Sequence, residues 1–491
     1  MPFVSDIISN QQIASWNGND RILIKASCGT GKTRFVYNQL CNFVEEHQKQ
    51  ILYLGNRTCL LQQIQKHIEG KNDIVQAKTY QSIEHLINNT YPENERQNAL
   101  IGMMESYDYI VADEAHYFFA DSELEQSNTY LWLPAIESAN VVIIFMTATP
   151  QILQTWIRFE EEKIFNIFIP PQFNQKFFYT NDQTMQKVMN ALPPEEKVIY
   201  FSQNIDLLVD LHKHYNTRSL LVCSQSNKQY KYVDQEKVSQ MLKNESFDTQ
   251  FLLTTSVLDN GITFKDRSIK HIICDYPDII TVIQCLGRKR FIDEEDEVKI
   301  YIKTFSESFI QFLLGSKAMD IQQVTDYDSL SKEQYAQKYK TKYFNKTLHL
   351  HYDHEKDCLD FVINAAVVYK LQYDLKMLQN IHHYTDFVKL FCQESSQGFA
   401  SFTNLENTLY KIVMESLFQD CLDVRLYTPQ QNELKQNLKN CIPYLKKHNG
   451  KKAINNYLEG VNSKYRITSG QEKNRKTGRR DETYWKIIPV G

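Results

Sequence analysis

The chain is poor in glycine, and its cysteines form none of the patterns that mark a disulfide framework or a structural metal site. Only 15 of the 491 residues are glycine, and the ten cysteines include no Cys-x-x-Cys pair. Scattered cysteines are typical of a reducing compartment, so the sequence predicts a cytoplasmic protein. We expect no membrane span, because no apolar run approaches about 18 to 20 residues, and the first residues do not resemble a secretion signal.

Net positive charge is absent from most of the chain and concentrated at its end. The net charge is −4, yet residues 431–491 hold fourteen Lys and Arg against five Asp and Glu, a balance of +9. The preceding 430 residues therefore carry about −13. This asymmetry predicts a basic module that binds nucleic acid or docks a protein partner.

Short apolar runs alternate with helix-like segments over roughly the first 305 residues. The runs are 21–26, 51–56, 108–113 and 140–148, and then 197–202, 219–224, 251–256, 270–275 and 298–303. Because helices between buried strands imply right-handed crossovers, the alternation predicts two doubly wound α/β domains with parallel sheets. Pro170 and Pro171 mark the junction between them.

The last third of the chain has a different character. From about residue 316 the spacing predicts mainly helices, without strand alternation. Near the end, 464–468 and 483–488 flank a strongly basic turn and predict a β-hairpin. Two helices followed by such a hairpin resemble a winged-helix domain, and the alternative is a disordered basic tail. The turn residues predicted to contact nucleic acid are Arg475, Lys476, Arg479 and Arg480.

The segment ASCGTGKT (26–33) follows a predicted strand and opens a predicted helix. It has Ala26 where the general P-loop pattern has glycine, but Gly29 and Gly31 still let backbone N–H groups curl around phosphate oxygens. Lys32 would reach the β- and γ-phosphates of ATP, and the Thr33 hydroxyl would bind Mg²⁺. The predicted ATP-binding residues of the loop are Ser27, Cys28, Gly29, Thr30, Gly31, Lys32 and Thr33.

The segment VADEAH (111–116) ends a predicted strand about eighty residues after the P-loop. A carboxylate at the end of such a strand can hold Mg²⁺ through water, and we assign this role to Asp113. Glu114 can orient and polarise the attacking water as general base. Together the two segments predict an ATP hydrolase.

These motifs and their order resemble those of superfamily 2 helicases and translocases with a DEAH box, in particular those of phages and mobile elements. Segments 26–33, 113–116, 147–149, 252–264 and 284–290 resemble motifs I, II, III, V and VI, and 55–63 and 78–83 resemble strand-contacting segments. The resemblance implies tandem RecA-like domains. With the C-terminal prediction, the expected domains are 1–172, 173–315, a helical accessory region at 316–424 and a winged-helix-like domain at 425–491.

The resemblance has two departures. Motif V usually has an acidic residue two positions after its glycine, but here Ile262 and Thr263 follow that glycine. Motif VI is commonly Gln-x-x-Gly-Arg-x-x-Arg, whereas Phe291 occupies its last position and the spare arginine lies one residue earlier. Arg288 and Arg290 are the implied γ-phosphate contacts across the domain cleft, and either can be the arginine finger.

Further roles follow from the same resemblance. His116 and Gln284 would bridge the two domains, and Thr147 and Thr149 of motif III would couple nucleotide state to strand binding. Gln12 would read adenine. The residues that match positions binding the phosphodiester backbone are Arg57, Thr79, Gln81, Ser202 and Thr255.

Three histidines, His349, His351 and His354, lie close together in the sequence, with Asp353 and Cys358 nearby. Such a group raises the alternative of a metal site. Its spacing matches no zinc pattern, however, so the sequence predicts a solvated loop.

The sequence therefore predicts an ATP-dependent helicase or translocase that acts on nucleic acid, DNA rather than RNA, with the 3′–5′ polarity that the resemblance implies. ATP and Mg²⁺ are the predicted cofactors. Two alternatives stay open. One is an RNA helicase, and the other is a nucleic-acid-gated ATPase switch that recruits a partner in phage defence or repair without unwinding.

Overall fold

The computed structural model describes residues 3–26, 29–55, 73–120, 129–167, 173–258, 262–293, 295–339, 347–353, 358–379, 381, 383, 386, 402–472 and 482–490. The chain forms two compact units. The larger comprises Met1–Asn174 and Pro193–Phe399, and the smaller comprises Gln175–Leu192 and Ala400–Gly491.

The larger unit begins with a parallel sheet of order β3-β2-β4-β5-β1-β6. Its strands are β1 (Arg21–Ala26), β2 (Ile51–Gly55), β3 (Val75–Thr79), β4 (Tyr109–Asp113), β5 (Val142–Thr147) and β6 (Ile164–Ile167). The apolar runs predict four of them, whereas β3 and β6 are mixed in polarity and escape that pattern. Because all strands run the same way, the loops after β1, β4 and β5 begin at one edge.

Helices flank this sheet. They are α1 (Val4–Ile7), α2 (Asn10–Ser15), α3 (Lys32–Arg34), α4 (Cys41–Glu46), α5 (Tyr80–Thr90), α6 (Glu93–Glu105), α7 (Tyr117–Ala120), α8 (Thr129–Ser138) and α9 (Gln151–Trp156). A π-helical stretch, Phe35–Leu40, joins α3 to α4. The helix that opens at the P-loop therefore continues to Glu46.

Next in the chain come β7 (Phe173–Tyr179) and α10 (Asp182–Asn190). The sequence assigns this segment to the second α/β domain, whereas in the structure Gln175–Leu192 groups with the C-terminal residues. Its neighbours there are distant in sequence. The backbone N–H groups of Thr180 and Asn181 both donate to Glu406 Oε1, at 2.8 and 3.0 Å.

The second parallel sheet of the larger unit has the order β12-β11-β8-β10-β9. Its strands are β8 (Lys197–Ser202), β9 (Ser219–Val222), β10 (Phe251–Thr254), β11 (Ile269–Asp275) and β12 (Val298–Lys303). The helices around it include α11 (Ile205–Tyr215), α12 (Gln235–Asn244) and α13 (Ile279–Leu286). All five predicted runs form strands, and the predicted class of two tandem α/β domains with parallel sheets is confirmed.

The accessory region contains α14 (Glu307–Ser329), α15 (Lys332–Tyr339), β13 (Leu348–Asp353), β14 (Cys358–Ile363) and α16 (Ala365–Gln379). The antiparallel pair β13–β14 corrects the prediction of a region without strands. His349 and His351 lie on β13 rather than in a loop, because LHLHYD alternates apolar and polar residues with the period of a strand. His354 lies outside the described residues. Helix α16 packs against α7, α8 and α9 and against α14.

In the smaller unit, β7 pairs in parallel with β15 (Phe402–Asn404). The chain continues through α17 (Leu405–Gln419), α18 (Thr428–Cys441), α19 (Lys451–Gly460), β16 (Tyr465–Glu472) and β17 (Glu482–Pro489). Strands β16 and β17 form the predicted hairpin. The hydrophobic core that the hairpin shares with the C-terminal helices includes Met414 and Phe418, which precede the predicted domain boundary at 425.

Candidate functional site

The loop after β1 is built around two glycines with left-handed backbone. Gly29 has φ +87° and Gly31 has φ +82°, angles that an L side chain rarely adopts, so both positions favour glycine. Gly31 is the N-cap of α3, and the Lys32 side chain is buried. Lys32 Nζ donates to the backbone oxygen of Ala26 at 2.9 Å. The loop thus holds its ammonium group close to its own backbone, as a phosphate-binding loop requires.

Two carboxylates follow at the end of β4, and tyrosines hold the first of them. Asp113 is buried, and the Tyr53 hydroxyl donates to its Oδ2. The Tyr80 hydroxyl donates to the Asp113 backbone oxygen at 2.9 Å. The Glu114 N–H donates to Asp113 Oδ1 at 3.0 Å, and Glu114 itself has φ +49°. A left-handed conformation at a residue other than glycine persists only where surrounding contacts enforce it.

Glu114 has positive charges nearby but one oxygen without a hydrogen bond from the described residues. Its Oε2 is buried and accepts no hydrogen bond from the described residues, although His116 Nδ1 lies 3.4 Å away. Burial opposes ionisation of Glu114, but the charges of Lys32, His116 and Arg288 outweigh it and lower the pKa of this carboxyl. An ionised, buried carboxylate with an unused lone pair is suited to accept a proton from water.

Asp113 shows the opposite pKa direction. Burial and the neighbouring charge of Glu114 raise its pKa to about 6, against the opposing effects of Lys32 and of the hydrogen bonds from Tyr53 and the Glu114 N–H. Two adjacent buried carboxyl groups cannot both be ionised without cost. The pair therefore favours added positive charge at this edge of the sheet.

A chain of side-chain contacts connects the two α/β domains. His116 Nδ1 lies 3.3 Å from Thr147 Oγ1, which lies 3.3 Å from Thr149 Oγ1. Gln284 Nε2 on α13 donates to Thr149 Oγ1 at 3.3 Å, and Arg288 Nη2 donates to Gln284 Oε1 at 3.2 Å. All five side chains are buried. The path joins the end of β4 to the arginine segment of the second domain.

The three successive side chains of residues 288–290, the arginine segment, have different partners. The Lys289 ammonium is fully buried and paired with the fully buried Asp296 carboxylate. Arg288 is bound to Gln284, as described above. Arg290 is exposed and reaches the P-loop, because a Cβ placed on Gly29 would lie 3.5 Å from Arg290 Nε. The structure thus brings Arg290 beside the P-loop, while the charge of Arg288 acts on Glu114.

The residues predicted to contact a strand lie at the carboxyl ends of strands or just beyond them. Thr79 ends β3 and caps α5, Gln81 is exposed, and Thr255 is half-buried beyond β10. Ser202 is fully buried, and its hydroxyl donates to Asp275 Oδ2 at 2.9 Å. The Ser202 side chain has no exposed surface, and a strand contact at this position stays a prediction.

Gln12 already has a structural role. Its Oε1 accepts a hydrogen bond from the Ser9 N–H at 2.8 Å in the capping box of α2. The predicted adenine contact would have to share this oxygen. Several predicted site residues lie outside the described part of the chain: Ser27, Cys28, Arg57, Arg475, Lys476, Arg479 and Arg480.

Tyr53 and Tyr80 are site residues that the sequence pattern does not single out. Tyr53 lies in an apolar strand, and its partner in the register of β2 and β4 is Val111, two residues before Asp113. Side chains two apart share a face of a sheet, so the tyrosine and the carboxylate meet. Only the strand register shows that Tyr53 lies near Asp113, because the sequence ILYLG has no feature that predicts this contact.

Comparisons with known proteins support the N-terminal assignment. Residues 3–152 match the family model described as type III restriction enzyme, res subunit. This match confirms the predicted resemblance to superfamily 2 helicases over the first α/β domain, and it supports an ATP-hydrolysing enzyme. No curated protein compared with the chain matches it.

Among solved structures, one similar chain is a Leu-to-Val variant of S. cerevisiae Dbp5 bound to RNA and ADP BeF3. The two chains are 13% identical, the TM-score is 0.40, and the likeness covers 59% of this chain and 80% of that one. A likeness of this extent carries no conclusion about function.

Two further findings apply to the described ranges as a whole. No helix there is long and apolar enough to cross a membrane. Over the same residues, no group of three His, Cys, Asp or Glu side chains could hold a metal ion.

Proposed function

We propose that the protein is an ATP-dependent motor on nucleic acid, a helicase or translocase, whose ATP site lies between the two α/β domains. The observation that carries this proposal is the buried path from His116 to Arg288, which joins the two domains beside the P-loop. Contacts of this kind let a ligand bound on one domain set the position of the other. A strand lying across both domains would then be gripped at two points whose spacing changes during hydrolysis.

The residues of the site fit ATP with Mg²⁺. The left-handed glycines and Lys32 form a phosphate cradle, and the Thr33 hydroxyl and Asp113 carboxylate are the hard oxygen ligands that Mg²⁺ prefers. When bound, the ion would neutralise charge on the phosphates. Glu114 Oε2, which accepts no hydrogen bond from the described residues, is the oxygen that would take the proton of the attacking water.

Arg290 completes the site in this proposal. A guanidinium aimed at the P-loop from the second domain would stabilise the charge that builds on the transferred phosphoryl group. Arg288 has a different task, because its Nη2 and Nε donate to the side chain and backbone oxygens of Gln284 at 3.2 and 2.9 Å. We assign Arg290 as the finger and Arg288 as the residue that holds the inter-domain path.

We further propose DNA as the substrate, with 3′–5′ polarity, and a winged-helix role for the smaller unit. Leu426 and Trp485 exchange backbone hydrogen bonds of 2.8 and 2.9 Å, which form a single β-bridge between the segment before α18 and the hairpin. The element order is helix, helix, helix and hairpin, and this arrangement supports a winged helix. Exposed lysines on this unit, Lys446, Lys447 and Lys452, would contact duplex phosphates together with the basic turn. Scattered cysteines support the cytoplasm as its location.

The test is strand displacement measured beside ATP hydrolysis. Duplexes of DNA and of RNA, each with a 3′ or a 5′ single-stranded tail, are offered to the full chain with Mg²⁺ and ATP. We expect displacement of the DNA duplex with a 3′ tail, and ATPase stimulation by single-stranded DNA. A Lys32→Ala protein is the control and should show neither activity.

Other outcomes decide between the alternatives. Displacement confined to RNA would make the protein an RNA helicase. Strand-stimulated ATPase without displacement of any duplex would favour translocation alone or a nucleic-acid-gated switch that recruits a partner. If no nucleic acid changes the ATPase rate, the motor proposal is wrong.

A further inference from the structure

The start of α5 connects a predicted strand contact with the carboxylates. Thr79 and Gln81 are the residues predicted to bind nucleic acid, and Tyr80 lies between them. Gln81 is exposed, whereas Tyr80 is fully buried. This short segment therefore presents one side to a passing strand and the other to the ATP site.

The Tyr80 hydroxyl fixes the peptide group between Asp113 and Glu114. It donates to the carbonyl oxygen of this peptide at 2.9 Å, and the N–H of the same peptide donates to Asp113 Oδ1 at 3.0 Å. Both ends of the peptide are thus held where Glu114 adopts its left-handed backbone. Loss of the Tyr80 bond would free the carbonyl end, and the carboxylate of Glu114 would lose its fixed direction.

The Tyr80 ring lies in a close-packed aromatic cluster. It stacks on Tyr117 with ring centroids 4.5 Å apart and planes 9° apart, and it meets Trp132 edge-on at 5.7 Å. Trp132 Nε1 and the Tyr117 hydroxyl donate to Glu84 Oε1 at 2.8 and 3.3 Å, and Glu84 belongs to α5. Because a packed interior leaves no room for independent movement, a shift at the start of α5 reaches the Tyr80 hydroxyl.

We propose that Tyr80 is a positioning residue that couples strand binding at Thr79 and Gln81 to the orientation of Glu114, and so raises ATP hydrolysis when a strand is bound. The inference rests on the proposed function, because it requires both ligands. Burial raises the pKa of Tyr80 well above its ordinary value, so the hydroxyl remains a donor near neutral pH.

The test compares three Tyr→Phe variants of the full chain. Tyr80→Phe removes the bond to the peptide, and Tyr53→Phe removes the bond to the Asp113 carboxylate from a strand outside the strand-contacting segment. Tyr109→Phe is the matched control, because its buried hydroxyl has no hydrogen-bond partner among the described residues. For each protein, kcat is measured without nucleic acid and with saturating oligo-dT or oligo-U, together with strand affinity and thermal stability.

We expect the ratio of stimulated to basal kcat to fall about tenfold in Tyr80→Phe, the effect of removing one hydrogen bond from the stimulated state, with strand affinity unchanged. In Tyr53→Phe, kcat should fall by one factor with and without the strand, so the ratio stays at its wild-type value. Tyr109→Phe should match the wild type in kcat, ratio and strand affinity.

Two results would overturn the coupling while leaving the motor proposal in place. In the first, Tyr80→Phe keeps the wild-type basal and stimulated kcat, and in the second, both kcat values fall by the same factor, as a purely structural role would require. If neither oligonucleotide stimulates the wild-type protein, the proposed function fails and the coupling fails with it. The wild-type measurement therefore separates the two kinds of failure.

Discussion

The two parallel sheets of the larger unit each end a central strand in a buried aspartate, and the protein treats the two aspartates differently. At the end of β11, Asp275 Oδ2 accepts from the Ser202 hydroxyl at 2.9 Å and from Lys303 Nζ at 3.1 Å. Its charge is compensated within its own domain. At the end of β4, Asp113 receives neutral tyrosine hydroxyls, and Glu114 places a second negative charge beside it.

The difference separates a structural edge from a functional one. Full compensation stabilises a buried charge, whereas an uncompensated pair costs stability and is retained where a ligand supplies the missing charge. In the first sheet the missing positive charge would come from a metal ion and from Arg290, which approaches from the other domain. In the second sheet, Lys303 supplies the positive charge beside Asp275.

The largest effect is expected at the arginine that reaches the open edge. Arg290→Ala should lower kcat for ATP by about 10³-fold with little change in KM, because an arginine finger acts mainly in the transition state. Arg290→Lys should recover only part of this activity, since a point charge lacks the planar fork of a guanidinium. Steady-state ATPase kinetics provide the measurement. Normal turnover in Arg290→Ala would return the finger to Arg288.

The next effect is expected at the general base. Glu114→Gln should lower kcat by about 10²- to 10³-fold and still bind ATP, because the P-loop and Asp113 are untouched. The matched change at the compensated edge, Asp275→Asn, should leave kcat for ATP at its wild-type value. Both are measured by single-turnover hydrolysis and by nucleotide binding. Equal decreases at the two edges would contradict the comparison.

The stability of the same two variants should show the reverse order. Asp275→Asn should reduce the free energy of unfolding by about 3 kcal/mol, because it leaves the partly buried Lys303 without its carboxylate. Glu114→Gln should reduce it by less, because Lys32, His116 and Arg288 lower the pKa of Glu114 but none of the described residues donates a hydrogen bond to its Oε2. Denaturant unfolding of each variant tests this. A Glu114→Gln protein less stable than Asp275→Asn would reverse the assignment of the edges.

The smallest effect is expected on duplex binding by the smaller unit. Exposed lysines on its surface carry charge that nucleic acid would compensate. Replacing Lys446, Lys447 and Lys452 together with glutamine should weaken duplex binding. It should reduce the slope of log K against log salt by up to about 0.9 for each phosphate that the variant no longer neutralises. Lys228→Gln in the larger unit is the control and should leave the slope unchanged. An unaltered slope in the triple variant would favour protein docking by this surface.

Much of the fold follows from local patterns, and the exceptions have physical causes. Buried strands such as Lys197–Ser202 are apolar almost throughout because parallel sheets are covered on both faces, so composition alone reveals them. Strand β3 is not predicted, because it is only partly buried and its sequence is therefore not continuously apolar. The contact of Thr180 and Asn181 with Glu406 is not predicted, because Glu406 lies more than two hundred residues further along the chain. Local spacing contains no information about such a contact.

The sequence by itself determined the chemistry of the site. A prediction of ATP binding and hydrolysis needs only two glycines two residues apart, a lysine after them, and adjacent Asp113 and Glu114 after a buried strand. These groups are sufficient because phosphate cradling and water activation need them in that local order. Tertiary structure alone decided which groups surround them. Strand register brings Tyr53 to Asp113, helix packing brings Tyr80 to the next peptide, and the packing of the two α/β domains brings Arg290 beside Gly29. These are distances between residues far apart in the chain, and such distances are fixed only when the strands pair and the domains pack.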